Sequence, residues 1–323
     1  MPRSRQQQIA LHQTSYYHLV SRCVRRAFLC GITDTYNFEH RREWMTERLA
    51  LLTQMFAIDI AAYALMTNHY HLVVRVDTAK AKSWSKLEVV QHWQMLFHLP
   101  ALVERELTGE SIGAAEKQVV DAMIEKYRER LSDISWFMRC LNEHIARLAN
   151  AEDECTGRFW EGRFKCQALL GEKALLSVMA YVDLNPMRAK IAESLQASDY
   201  TSIQNRLGNA VRGIFHGKLL PFSEGIDAEK SQEHIPYRFA DYLELLAWTG
   251  QLIHAESCAL TQPKIPITLN SLGISPNRWL HNCRKLEELF HVVIGPSKAV
   301  KQLCQAFGQH WLQGQVACRR CFG

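Results

Sequence analysis

The sequence contains no apolar run long enough to cross a membrane. Its most apolar stretch, residues 49–66, is broken by Thr53, Gln54 and Asp59 and reads as a helix end, a turn and a buried strand. The opening MPRSRQQQIA has no apolar core, so no secretory leader is expected. There is no phosphate-binding glycine loop of the Walker kind, which argues against a nucleotide cofactor. Internal repeats and low-complexity tracts are absent. The ten cysteines are scattered through apolar surroundings without a small-domain disulfide pattern, which predicts a reduced, cytoplasmic chain.

What remains is an ordinary folded composition, 47% hydrophobic and 22% charged. A chain of 323 residues allows one large domain, or one domain with an extension. The net charge of +5 permits a polyanionic partner without demanding one. The cations cluster, however: Arg3 with Arg5, Arg22 with Arg25 and Arg26, Arg41 with Arg42, and Arg158 and Arg163 with Lys165. Clustered arginine suits nucleic-acid binding, and it equally suits a solvated face.

Residues 1–15 are polar and basic and are expected to form an arm. Strands are expected at 16–23, 58–66 and 69–76, the last two joined through a turn at Thr67-Asn68. Helical spacing of Phe38, Trp44, Leu49 and Leu52 predicts a helix within 34–53. Residues 82–150 read as helical throughout. Residues 157–170 read as a strand, with Glu161-Gly162 as a candidate hairpin turn. A helix over 172–184 then stops near Asn185-Pro186, because proline lacks a backbone donor and restricts its predecessor. Prolines punctuate the chain after about residue 213, with helices expected at 237–249 and 298–313. A boundary is placed near residue 215.

Three constellations could carry chemistry. His69-Tyr70-His71 on a strand puts both imidazoles on one face, and neutral imidazole ligates divalent metals. A structural histidine pair is the plain alternative. Tyr181 and Asn185, four apart on a helix, share a face. A phenol with a pKa near ~10 is a weak nucleophile without help, though tyrosine can form covalent intermediates. Alone, Tyr181 reads as a packing tyrosine and Asn185 as a helix cap. Residues 157–165, GRFWEGRFK, interleave cations with aromatics, as single-strand-binding surfaces do and as amphipathic strands also do.

These segments in their order resemble the single-tyrosine HUH transposases. They are Tyr17-His18-Leu19-Val20-Ser21-Arg22, then Thr67-Asn68-His69-Tyr70-His71-Leu72, then Trp160-Glu161-Gly162-Arg163-Phe164-Lys165, then the run from Tyr181 to Ala189. Within that family they are most similar to the REP-associated tyrosine transposases, over roughly residues 14–200. The resemblance implies an α+β, ferredoxin-like (RRM-like) antiparallel sheet with packed helices. It implies a catalytic part over 16–215, with a helical insertion at about 82–131 and a mainly helical extension over 216–323. It implies Tyr181 as nucleophile, His69 and His71 as ligands of Mg or Mn, and Asn185 as a further ligand. The implied partner is single-stranded DNA with a hairpin, contacted by Arg3, Arg5, Arg22, Arg158, Arg163, Lys165 and Arg188. Residues 1–12 would help to read the hairpin's flank. The chain would act as a monomer or homodimer in a bacterial cytoplasm, near the nucleoid. The rival reading is a DNA-binding protein that kept the fold and lost cutting. The extension ends in Cys318-Arg319-Arg320-Cys321; Cys304 and His310 are candidate zinc partners, but one CxxC is weak evidence.

Overall fold

Nearly continuous apolar strands build the sheet. The structure, a computed structural model, describes residues 4–24, 28–32, 36–208, 214–224, 233–254 and 264–322. Strands β1 (Tyr16–Arg22), β2 (Ile58–Leu65), β3 (His69–Val76) and β4 (Lys165–Leu169) lie in the order β2-β3-β1-β4, every neighbouring pair antiparallel. With helices α1 (His40–Met55) after β1 and α6 (Ile134–Glu152) before β4, this is the βαββαβ arrangement of ferredoxin-like folds. Only one residue in each of β2 and β3 escapes full burial, as expected of strands covered on both faces.

The expected strand over 157–170 shrinks to β4. Residues 157–164 form a loop instead, in which Trp160 makes one bridge to Cys23. The reason is packing. Trp160 turns edge-on to Tyr70, with ring centroids 5.6 Å apart, and its Nε1 donates to the Asn142 carbonyl. The loop's aromatics therefore fill the core under α6 rather than alternate along a ladder.

Between β3 and α6 the chain is helical, as the periodicity predicts: α2 (Thr78–Ser83), α3 (Lys86–Gln94), α4 (Ala101–Leu107) and α5 (Ala114–Leu131). Ser85 and Glu88 close a reciprocal capping box at the start of α3, and Asp133 accepts from the Trp136 N–H at the start of α6. Gly171, at φ +84°, turns the chain from β4 into α7 (Glu172–Asp183), which packs on β2 and β3. Two short helices follow, α8 (Asn185–Arg188) and α9 (Ser202–Arg206).

The C-terminal segment adds α10 (Phe239–His254), α11 (Ile267–Leu272), α12 (Pro276–Leu289), β5 (Val293–Ile294), α13 (Ser297–Ala306) and α14 (Gln315–Phe322). It does not stay apart from the sheet. β5 pairs parallel with β4, so the five-stranded sheet is mixed rather than wholly antiparallel. A Cβ on Gly295 would meet the Leu170 carbonyl at 2.5 Å, which explains a glycine at this close approach. α12 packs along α7. Among the described residues no helix is long and apolar enough to cross a membrane.

Candidate functional site

β3 has partners on both sides, so its pleat is rigid and alternation decides where its side chains go. Tyr70 points to the α6 face, where its hydroxyl donates to Asn142 Oδ1 at 2.6 Å. His69 and His71 point to the opposite face, under α7. His71 is fully buried and His69 half-buried.

A chain of hydrogen bonds sets the tautomer of each imidazole. Gln167 Nε2 donates to the Phe290 carbonyl at 2.6 Å, so its Oε1 faces His18 Nδ1, also at 2.6 Å. His18 must donate there, which leaves its Nε2 as an acceptor for His71 Nδ1–H at 3.0 Å. His71 Nε2 therefore carries a lone pair. His69 follows the same logic: Nδ1 donates to Asn68 Oδ1 at 2.6 Å, which frees Nε2. Burial keeps these rings neutral. It pulls His18 and His69 down to about 4 and His71 well below its ordinary value; Arg22 adds to the effect at His69, and His18, His69, Arg188 and Arg22 add to it at His71.

The third group comes from the far end of the chain. Glu287, on α12, places Oε1 3.5 Å from His71 Nε2 and Oε2 3.6 Å from Arg22 Nη2. Both His71 Nε2 and Glu287 Oε1 are buried without a hydrogen-bond partner. A neutral imidazole lone pair facing a carboxylate oxygen is repulsive unless a cation sits between them. The donor atoms of His69, His71 and Glu287 all lie within 4.8 Å of one another. Two imidazoles and one carboxylate form a donor set suited to a divalent transition metal, so these residues fit such an ion.

Tyr181 lies over this group. Its ring meets His71 edge-on, with centroids 5.6 Å apart, and His18 at 6.3 Å. It is 3% exposed. Burial pushes its phenol up to about 12 and the Glu287 carboxylate adds to this, while the Arg188 guanidinium opposes it. The Arg188 guanidinium sits 4.1 Å from the ring centroid and is anchored by donating to the Arg284 carbonyl at 2.9 Å. Arg284 and Glu287 both belong to α12, so this helix holds the groups that surround the tyrosine.

The other expected residues are dispersed. Asn185 begins α8 and is buried, with Nδ2 unpartnered. Lys165 is exposed opposite Val20 in the β1–β4 register. Arg158 and Arg163 are exposed on the 157–164 loop. Arg5 is held to the body of the fold: its guanidinium lies 3.6 Å from the Phe164 ring centroid and donates to the Phe164 carbonyl. Arg3, Arg25 and Arg26 lie outside the described residues. Arg41 and Arg42, part of the clustered cations, turn inward. Arg41 is 1% exposed, pairs with Glu152 and Asp153 and stacks on Phe38; Arg42 donates to Cys30 Sγ. That cluster is a structural ion pair and not a nucleic-acid surface. Cys318 and Cys321 are buried on α14, and the Cys318 thiol donates to the Val293 carbonyl. His69, His71 and Glu287 form the one metal-competent group found among the described residues.

Sequence reasoning missed His18, Gln167 and Glu287. His18 lies opposite Val73, two residues along β3 from His71 and on the same face, so strand alternation could have flagged it. Nothing local marks Glu287, an acid among the charges of RKLEEL.

No family model matches the chain, and no curated protein matches it. One solved structure, described as that of the REP-associated tyrosine transposase bound to a REP hairpin, aligns with a TM-score of 0.38 and 13% identity. The alignment covers 70% of this chain and 97% of that one. A likeness this distant leaves function to the geometry of the site.

Proposed function

We propose that the chain is a metal-dependent strand transferase of single-stranded hairpin DNA, with Tyr181 as its nucleophile. The observation that carries this reading is the unpartnered pair His71 Nε2 and Glu287 Oε1, 3.5 Å apart and buried beside the Tyr181 ring. His69, His71 and Glu287 would hold the ion, with Asn185 as a further candidate ligand. A bound Mg or Mn would polarise a non-bridging oxygen of the scissile phosphate and offset developing charge.

The residues divide the remaining work. Tyr181 Oη attacks phosphorus, and the bond to the 3′ oxygen breaks. The cut strand's 5′ phosphate becomes joined to the tyrosine, and the 3′ oxygen takes a proton from solvent. The phenol proton would pass to the nearby Glu287 carboxylate or to solvent. Arg188, whose guanidinium lies 4.1 Å from the ring centroid, favours the phenolate by its charge. Arg22 at the rim, paired with Glu287 at 3.6 Å, would meet a phosphate. Attack by a 3′ hydroxyl on the phosphotyrosine reverses the step and rejoins a strand. Because the bond energy stays in the intermediate, no nucleotide is required.

The burial of the Tyr181 hydroxyl favours a second reading, a hairpin-binding protein that no longer cuts. One experiment separates them. The protein is incubated with single-stranded hairpin DNA and Mn or Mg, then run on a denaturing gel. A covalent adduct that is absent in Tyr181→Phe supports the transferase. An adduct that persists in Tyr181→Phe removes the nucleophile, and none across many hairpins favours binding alone.

A further inference from the structure

The helical insertion holds a cavity of about 530 Å³ on the side of the sheet away from the histidines, between α1, α3, α5 and α6. That volume is in the range of ligand pockets, roughly 300–1,000 Å³. Its lining has an unusual chemistry. Trp93 stacks on Tyr127 with centroids 4.4 Å apart and rings 6° from parallel, and on Phe97 at 4.3 Å. Trp136, half-buried, closes the cluster. The Arg130 guanidinium lies 4.2 Å from the Trp136 ring centroid, and Arg139 lies 5.2 Å from it. Trp93 and Tyr127 are buried and back the wall, so the half-buried Trp136 and the guanidiniums beside it supply the accessible flat face.

The charge is one-sided. Arg48, Arg130, Arg139 and Arg147 line the cavity against a single carboxylate, Glu143, which is shared between Arg139 at 2.8 Å and Arg147 at 3.7 Å. Four cations with one acid make an anion-attracting basin, and the stacked rings favour a planar partner over an acidic peptide. Nucleic-acid bases meet both demands, because every base has a stacking face and every link carries a phosphate.

The cavity also borders the loop on the proposed DNA path. Glu143 lines a second cavity as well, alongside Arg158, Trp160 and Arg163 of the 157–164 loop. That loop is tied to the rim of the histidine site, since the Glu161 N–H donates to the Arg22 carbonyl at 2.8 Å. Basic and aromatic groups therefore run from Arg22 over the loop and along α6 into the insertion.

We infer that the insertion cavity is a second single-stranded nucleic-acid site, where bases of the strand outside the hairpin stack on the Trp136–arginine face while Arg139 and Arg147 meet phosphates. This rests on the DNA-directed reading above, and it gives the insertion a role that the cutting chemistry does not require.

The test uses the full chain, a chelator to remove metal, and a fluorescein-labelled single strand of roughly 16 nucleotides, the upper end of one stacking site's length. Binding is read by anisotropy at two salt concentrations. Trp136→Leu is expected to weaken binding about tenfold at both. Arg139→Glu combined with Arg147→Glu, both exposed, is expected to weaken it by as much at low salt and less at high salt. The proposal is overturned if variants with wild-type melting temperatures bind within twofold of wild type, or if polyglutamate displaces the strand as well as unlabelled DNA does. Because binding is read without metal, a wild-type chain that binds the strand yet forms no adduct keeps this site and loses the cutting reading.

Discussion

Glu287 Oε1 faces His71 Nε2 across 3.5 Å, although α12 and β3 come from opposite ends of the chain. Neither atom has a hydrogen-bond partner, so the contact is strained in charge until a cation occupies it.

Substituting Glu287→Gln keeps the shape and removes the charge. It should lower Mn affinity by at least about tenfold, because a carboxylate ligand becomes a neutral amide. Titration calorimetry with the purified chain checks this. Unchanged Mn affinity would remove Glu287 from the ligand set.

His18 positions His71 rather than binding the ion. Replacing His18→Phe leaves His71 Nδ1–H without its acceptor and frees the ring to switch tautomer. Loss of such an outer partner typically costs ~10–100-fold in metal affinity. His18→Gln, which can still accept at that distance, should recover part of it. Equal loss in both variants would mean that packing, not the hydrogen bond, is what matters.

The metal-free fold should lose stability as the medium is acidified from pH 6.5 towards 4. Burial pushes the folded His18 down to about 4 against an ordinary value near 6.5, so the unfolded chain binds more protons in that window. The sign is therefore stability retained above 6.5 and lost on acidification. At ~1.36 kcal/mol per unit, His18 contributes about 3 kcal/mol of this loss. Urea unfolding at several pH values with EDTA measures it, and a flat profile for the wild type would contradict the neutral relay.

Asp183 anchors the helix that carries Tyr181. It accepts from the Ser202 hydroxyl, from the Ile203 N–H at 3.0 Å and from the Tyr242 hydroxyl at 2.6 Å, which ties α7 to α9 and α10. Asp183→Ala strands three buried donors and should cost about 3 kcal/mol or more. Chemical denaturation reads that cost; a change under about 1 kcal/mol would show that water or rearrangement satisfies them.

Much of this molecule follows from local rules. Period-two alternation in HYHLVVRV puts His69 and His71 on one face, and the asparagine–proline pair after Asp183 ends the helix that bears Tyr181. Individual strands and helices are legible from their own periodicity, whereas their ferredoxin-like arrangement was implied by the family resemblance and is seen in the strand order. Local pattern misjudged residues 157–164, whose alternation of cations and aromatics looks like a strand. It fails there because Trp160 gains more from packing on Tyr70 and donating to Asn142 than from a ladder position.

What the sequence alone determined is therefore the paired histidines, the helical tyrosine and the framework that carries them. Tertiary structure decided the rest: that Glu287 completes the group, that His18 and Gln167 set the tautomers, that β5 extends the sheet, and that Arg41 and Arg42 turn inward. The physical reason is range. Backbone geometry makes alternation and helix faces readable a few residues at a time, whereas Glu287 meets His71 only because α12 buries its apolar face along α7.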